Sequence, residues 1–138
     1  MDWKLELIVV PSADVDRSKS FYIDHLNFDL TVDYENKGFR VVQLVPPGSA
    51  CAIALMPNPE AAGTLQGLHL VVPNIGAARS ELIGRDTEVS ELFHYVEGRQ
   101  HPGPDPDHTD YATFFTFNDP DGNGWLVQEV GWTPLKDQ

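Results

Sequence analysis

The chain repeats itself, and that repeat constrains the fold more than any other feature. Val9-Val10-Pro11 followed by Arg17-Ser18 returns as Val71-Val72-Pro73 followed by Arg79-Ser80, each letter displaced by 62 positions in a chain of 138. A period this long marks one supersecondary unit used twice. Whatever the first half folds into, the second half should fold into as well.

The halves agree element by element. Leu5 to Val10 is a short apolar run rich in β-branched residues and bounded by Pro11, a buried strand. Ser12 or Asp14 then caps a helix carrying Val15, Ser18, Phe21 and Tyr22 at helical spacing, and Asn27 can take the left-handed conformation that ends it. Residues 28–33 alternate with period two, and 39–45 with 50–56 form a hairpin around Pro46-Pro47-Gly48-Ser49. After the Pro- and Gly-containing connector 57–66 the order returns. A strand over 68–72 precedes a helix capped by Asn74 and stopped by Gly84, then a strand over 87–93 and a hairpin of 111–117 with 125–130. The expected architecture is α+β: one domain over 1–138 made of two paired βαβββ modules, 1–56 and 67–138. Each module is an open sheet that cannot cover its own concave face, so the pair is expected to curve around a cavity.

Charge narrows the partners. Nine Lys plus Arg against 21 Asp plus Glu give a net charge of −12, which repels phosphate backbones and anionic membranes alike. Neither nucleic acid nor membrane is an expected partner. No apolar run approaches the roughly 20 residues of a membrane span. Charges in Met1-Asp2-Trp3-Lys4-Leu5-Glu6 stand where a signal peptide needs an apolar stretch, so a cytoplasmic location is expected. Cys51, the single cysteine, reads as a small apolar strand residue.

Three stretches carry a resemblance. They are Asp14-Val15-Asp16-Arg17-Ser18-Lys19-Ser20-Phe21-Tyr22, then Leu26-Asn27-Phe28, then Asn118-Asp119-Pro120-Asp121-Gly122-Asn123. In these the chain resembles, over essentially its whole length, the glyoxalase / bleomycin-resistance / ring-cleaving dioxygenase (vicinal oxygen chelate) superfamily, with Asn27 in place of the usual Gly. The resemblance implies the paired βαβββ fold. It does not select a function, because the scaffold hosts isomerases, dioxygenases, thiol transferases and drug binders.

The metal enzymes that the chain resembles draw His, Glu or Gln ligands from set strand positions. One lies seven residues before the helix-capping residue of each half, another three after the Asn of Asp-Pro-Asp-Gly-Asn. Those counts fall on Leu7 (or Leu5 if Ser12 is the cap), Gly67 and Leu126, none of which can bind a metal. No cofactor is therefore expected. The alternative is a displaced site for Zn, Ni, Fe or Mn on His69, Gln128 and Glu6, serving a metal-dependent lyase, isomerase or dioxygenase. His69 lies two residues from Gly67 and Gln128 two from Leu126, which keeps both in phase, whereas Glu6 faces inward only if a bulge shifts its strand.

The expected function is binding of a small, largely apolar organic molecule. Its contacts would come from His69, Gln128, Gln43, Arg40, Trp125 and Phe115, with His69 as the catalytic group if there is chemistry. The protein would be a sequestering, resistance-type binder or a metal-free catalyst. The segment 95–110 reads as a long loop over the cavity mouth; its His101 and His108, with His94 beside it, could bind metal by residue type, though no spacing supports it. A homodimer is expected, with the tail Trp125 to Leu135 as a candidate contact; Trp132 either anchors it or folds back on its own sheet.

Overall fold

The computed structural model describes residues 1–135; the last three residues of the second module lie outside the described residues. The described chain forms two compact units, Met1–Gln66 with Asp119–Asn123 and Gly67–Asn118 with 124–135. Each unit holds one mixed sheet and one helix, the α+β architecture expected from the repeat.

The first unit runs β1 (Leu7–Ser12), α1 (Val15–Asp24), β2 (Asp29–Asn36), β3 (Phe39–Val45) and β4 (Ala52–Pro57). Its strands lie in the order β1-β4-β3-β2, with β1 and β4 parallel and the other pairs antiparallel. Asp14 caps α1 by accepting a hydrogen bond from the Arg17 backbone N–H at 3.0 Å, and Asp16 sits in the first turn, where the helix dipole favours a carboxylate. The chain leaves the helix through Asn27 at φ 58°, the left-handed exit expected of that residue. Helix α1 buries Val15, Ser18 and Tyr22 against β3 and β4. There Val10, Val42, Leu44 and Leu55 are fully buried. Val10, Leu55 and Val42 pair across three adjacent strands and so share one face of the sheet.

The loop Asp119–Asn123 belongs to this first unit and is its polar centre. Asn123 is fully buried with all four of its hydrogen bonds made. Its Oδ1 accepts from the N–H groups of Gly63 (3.1 Å) and Leu65 (3.2 Å), while its Nδ2 donates to the Pro11 carbonyl (3.0 Å) and Asp119 Oδ2 (2.9 Å). Asp119 also accepts from the Tyr22 hydroxyl at 2.8 Å and from the N–H groups of Asp121 and Asn123. Asp121 takes Arg17, Ser18 and the Ala13 N–H. Gly63 has φ 84°, and a Cβ there would collide with the Asp121 carbonyl, so the close approach requires glycine.

The second unit runs β5 (Leu68–Val72), α2 (Ile75–Gly84), β6 (Phe93–Val96), β7 (Arg99–Pro102), β8 (Thr113–Asn118) and β9 (Gly124–Glu129), in the sheet order β5-β9-β8-β6-β7. Asn74 repeats the role of Asp14, accepting from the Ala77 N–H at 3.0 Å, and β5 runs parallel to β9 as β1 does to β4. The repeat departs from expectation at 87–93. Only an isolated bridge, Val89 to Phe117, forms there, and the strand begins at Phe93. Nor is 95–110 one irregular loop. Glu97 and Gly98, at φ 49° and 78°, make a two-residue turn between β6 and β7, which leaves the irregular stretch to the residues after Pro102.

Asn123→Ala would leave the N–H groups of Gly63 and Leu65 and the Pro11 carbonyl without their partner in a part-buried setting, and would take from Asp119 Oδ2 one of its two donors, the other being Tyr22. The expected loss of stability is about 3–4 kcal/mol, measured by urea unfolding against the parent chain.

Candidate functional site

Residues paired across neighbouring strands share a face of the sheet, and successive residues alternate. In the second unit this sorts the side chains cleanly. Trp125 pairs with Leu68 and Phe117, and Val127 with Phe115. All five are buried, and this face carries α2, which packs on β8 and β9. The opposite face holds His69 beside Leu126 and Thr116, and Val71 beside Gln128 and Phe114. It continues onto β6 through Phe93, in register with Phe114.

That second face is the candidate site. Phe93 and Phe114 rings lie 5.6 Å apart, and Tyr95 meets Phe114 edge-on at 5.8 Å, giving an aromatic surface across β8 and β6. Phe93 is buried behind this surface, Leu126 and Phe114 are half-buried, and Val71 and Tyr95 are exposed. Polar groups on this apolar floor include His69 on β5, Gln128 on β9 and the hydroxyl of Thr116 on β8, with Gln100 beside Tyr95 on the edge strand β7. His69 Nδ1 bonds the Gly67 carbonyl, an acceptor only, so Nδ1 carries the proton and Nε2 presents a lone pair. The arrangement suits stacking of a flat apolar molecule with an imidazole and an amide to orient it.

The expected site residues divide accordingly. His69 and Gln128 share one face of the second sheet. Trp125 and Phe115 do not join them. Both lie in the core beneath α2, where Trp125 stacks on Phe117 at 5.9 Å and 4°. Gln43 and Arg40 belong to the first unit and to opposite faces of its sheet. Gln43 pairs with Val32 and Ala54 on the face away from α1. Arg40 pairs with Glu35 on the face with buried Val42, and its guanidinium is taken up by Asp16 at 2.9 Å and Asp33 at 3.0 Å. Hydrogen bonding to Asp16 raises its pKa further, and Lys19 followed by Arg40 holds the Asp33 carboxyl below its usual range. This cation belongs to an ion-pair cluster over α1. Glu6 also lies in the first unit, exposed and ahead of β1.

The metal positions of the family fail the fit on side-chain chemistry. Leu7 pairs with Ala52, Leu126 with His69, and Gly67 precedes β5 at φ 84°; none offers a donor. Among the described residues, no group of three or more His, Cys, Asp or Glu side chains is placed to hold a metal ion.

Two features escaped the sequence reading. Tyr95 stands on the aromatic face although its neighbourhood reads as loop; the Glu97-Gly98 pair was the available signal for a hairpin there. Glu129, whose side chain is 1% exposed, accepts from the Ile75 N–H at 2.9 Å and from His108 Nδ1 at 2.8 Å. It thereby ties α2 and the 103–112 segment to the end of β9. Trp132 stacks on His108 at 4.0 Å.

A family model described as Glyoxalase/Bleomycin resistance protein/Dioxygenase superfamily matches residues 4–127. No curated protein matches the chain. Among solved structures, TnmS3, an antibiotic binding protein from Streptomyces sp. CB03234, is 26% identical over 94% of this chain and 97% of its own, with a TM-score of 0.71. A glyoxalase/bleomycin resistance protein from the same organism is 27% identical over 91% and 99%, with a TM-score of 0.66. A superfamily member from Sphaerobacter thermophilus DSM 20745, 21% identical over 93% and 98% with a TM-score of 0.71, shares the fold.

The two-faced sheet sets an asymmetry that substitution can read. Trp125→Ala empties the core and is expected to cost about 3–5 kcal/mol, whereas Phe114→Ala on the open face should cost well under half of that. Thermal unfolding of the two variants measures both; equal losses would mean that the faces are assigned wrongly.

Proposed function

The chain belongs to the glyoxalase/bleomycin resistance protein/dioxygenase superfamily, and from that premise we propose that it binds a small, largely apolar organic molecule without the metal centre usual in the family. The observation that carries this reading is the second sheet's open face. Where a metal enzyme needs donors it has Leu126 and Gly67, and beside them it has Phe114 and Tyr95, backed by the buried Phe93. Such a surface gains its affinity from apolar contact and ring stacking, with His69 and Gln128 giving orientation. A planar aromatic molecule of drug size fits that chemistry better than a phosphorylated or strongly anionic one. The net charge of −12 favours a neutral or cationic ligand through a long-range, salt-screened attraction. The description of TnmS3 as an antibiotic binding protein supports a sequestering role over a catalytic one. A molecule held by stacking and two hydrogen bonds is bound and released unchanged.

The test is calorimetric titration of tag-free protein with a panel of planar aromatic antibiotics and with bleomycin, in the presence and absence of a chelator. Binding of at least one planar compound, indifferent to chelator and weakened about ten-fold or more by Phe114→Ala, is the expected result. Stoichiometric metal in the purified protein, lost together with ligand binding in His69→Ala, would replace this reading with a metal-dependent one.

A further inference from the structure

The three histidines near the 95–110 segment are sorted by the structure. His108 is committed to Glu129 and Trp132. His94 and His101 instead face each other across β6 and β7, in direct register, with ring centroids 5.9 Å apart and the planes inclined by 36°. Both stand on the face of the sheet opposite Phe93 and Phe114, because His94 pairs with Thr113.

We propose that His94 and His101 form a two-imidazole site for a borderline transition-metal cation, Cu²⁺, Ni²⁺ or Zn²⁺, separate from the aromatic face and from the strand positions at which the family holds its metal. The orientation of His94 supports it. Nδ1 lies 2.7 Å from the Gly103 carbonyl, which can only accept, so the proton resides on Nδ1 and the lone pair on Nε2. A backbone carbonyl behind one ring nitrogen is the usual outer-shell device that fixes a metal-binding histidine. His94 is half-buried and held in this way, whereas His101 is exposed and free to turn toward it. Two imidazoles bound to one cation at about 2.0–2.1 Å place their ring centres roughly 5–6 Å apart, and the observed centroids lie 5.9 Å apart. Water would fill the remaining coordination positions.

The surroundings favour a cation. Asp105 lies two residues after Gly103, its N–H bonded to the hydroxyl of Thr113, the β8 partner of His94, and the Thr109 N–H first of all holds its carboxyl below the usual range, so an anion stands near the pair. The chain as a whole is strongly acidic and concentrates cations. A bound ion would join the edge hairpin to the start of the 103–112 segment, since the Gly103 carbonyl is held by the same ring.

Titration of the tag-free full-length protein with Cu²⁺, Ni²⁺ and Zn²⁺, by calorimetry and by electron paramagnetic resonance for Cu²⁺, tests the site. Expected are one equivalent of Cu²⁺ with nitrogen hyperfine structure from two imidazoles, and tighter binding of Cu²⁺ than of the other two ions. His101→Ala, an exposed substitution that leaves the fold intact by circular dichroism, should weaken binding about ten-fold or more. His94→Ala should do the same, and His69→Ala and His108→Ala should leave it unchanged. Unaltered Cu²⁺ affinity in His101→Ala, or loss of it in His69→Ala or His108→Ala, overturns the proposal.

Discussion

Asn123 holds the first unit together in a way that no apolar contact could. Its amide bonds the backbone on both sides of Thr64, the end of β1 through Pro11, and Asp119 of its own loop. Asp119 extends the same network to Tyr22 on α1, and Asp121 extends it to Arg17 and Ser18. Residues separated by about a hundred positions are thus fixed in register by directional bonds, each of them costly to leave unmade once buried. Apolar burial sets how strongly the unit is held; these bonds set which arrangement is held.

This network explains why certain letters identify the fold so well. Asp14, Ser18 and Tyr22 in the early stretch and Asp119, Asp121 and Asn123 in the late one are specific because they cap, brace and bond one another. Removing any one takes a hydrogen bond from at least one other part of the network. None of these side chains lies on the aromatic face of the second sheet. The residues by which the family is legible are committed to structure, and so they carry no information about ligand or reaction.

Much of the architecture was readable for the same reason: its signals are local. The capping Asp14 and Asn74 and the left-handed Asn27 each act within a few residues and each appears where the sequence places it, and the offset of 62 repeats such local signals in the second half. The site was less readable because face is a matter of parity. Arg40 and Gln43 sit three apart on one strand and must point oppositely, which separates them however polar both are. Thr113-Phe114-Phe115-Thr116-Phe117 puts aromatic rings on both faces, so composition alone cannot say which ring is core. Only the register with Val127 and Gln128 assigns Phe115 to the core and Phe114 to the open face.

The same parity bears on chemistry. A strand offers a ligand only every second side chain, and on β9 those positions are Leu126 and Gln128. On β5 they are His69 and Val71, with Gly67 just before the strand in a left-handed conformation. A tridentate metal centre needs its donors at matched depth on adjoining strands. Here the donor His69 stands in register with Leu126, and the donor Gln128 with Val71, so each polar group faces an apolar neighbour. Polar groups set singly among Leu, Val and Phe can select one orientation of a molecule that the surrounding surface retains. Under the binding role proposed above, the spacing of polar and apolar residues along two strands favours orienting a ligand over holding a metal, on a scaffold that hosts both kinds of function.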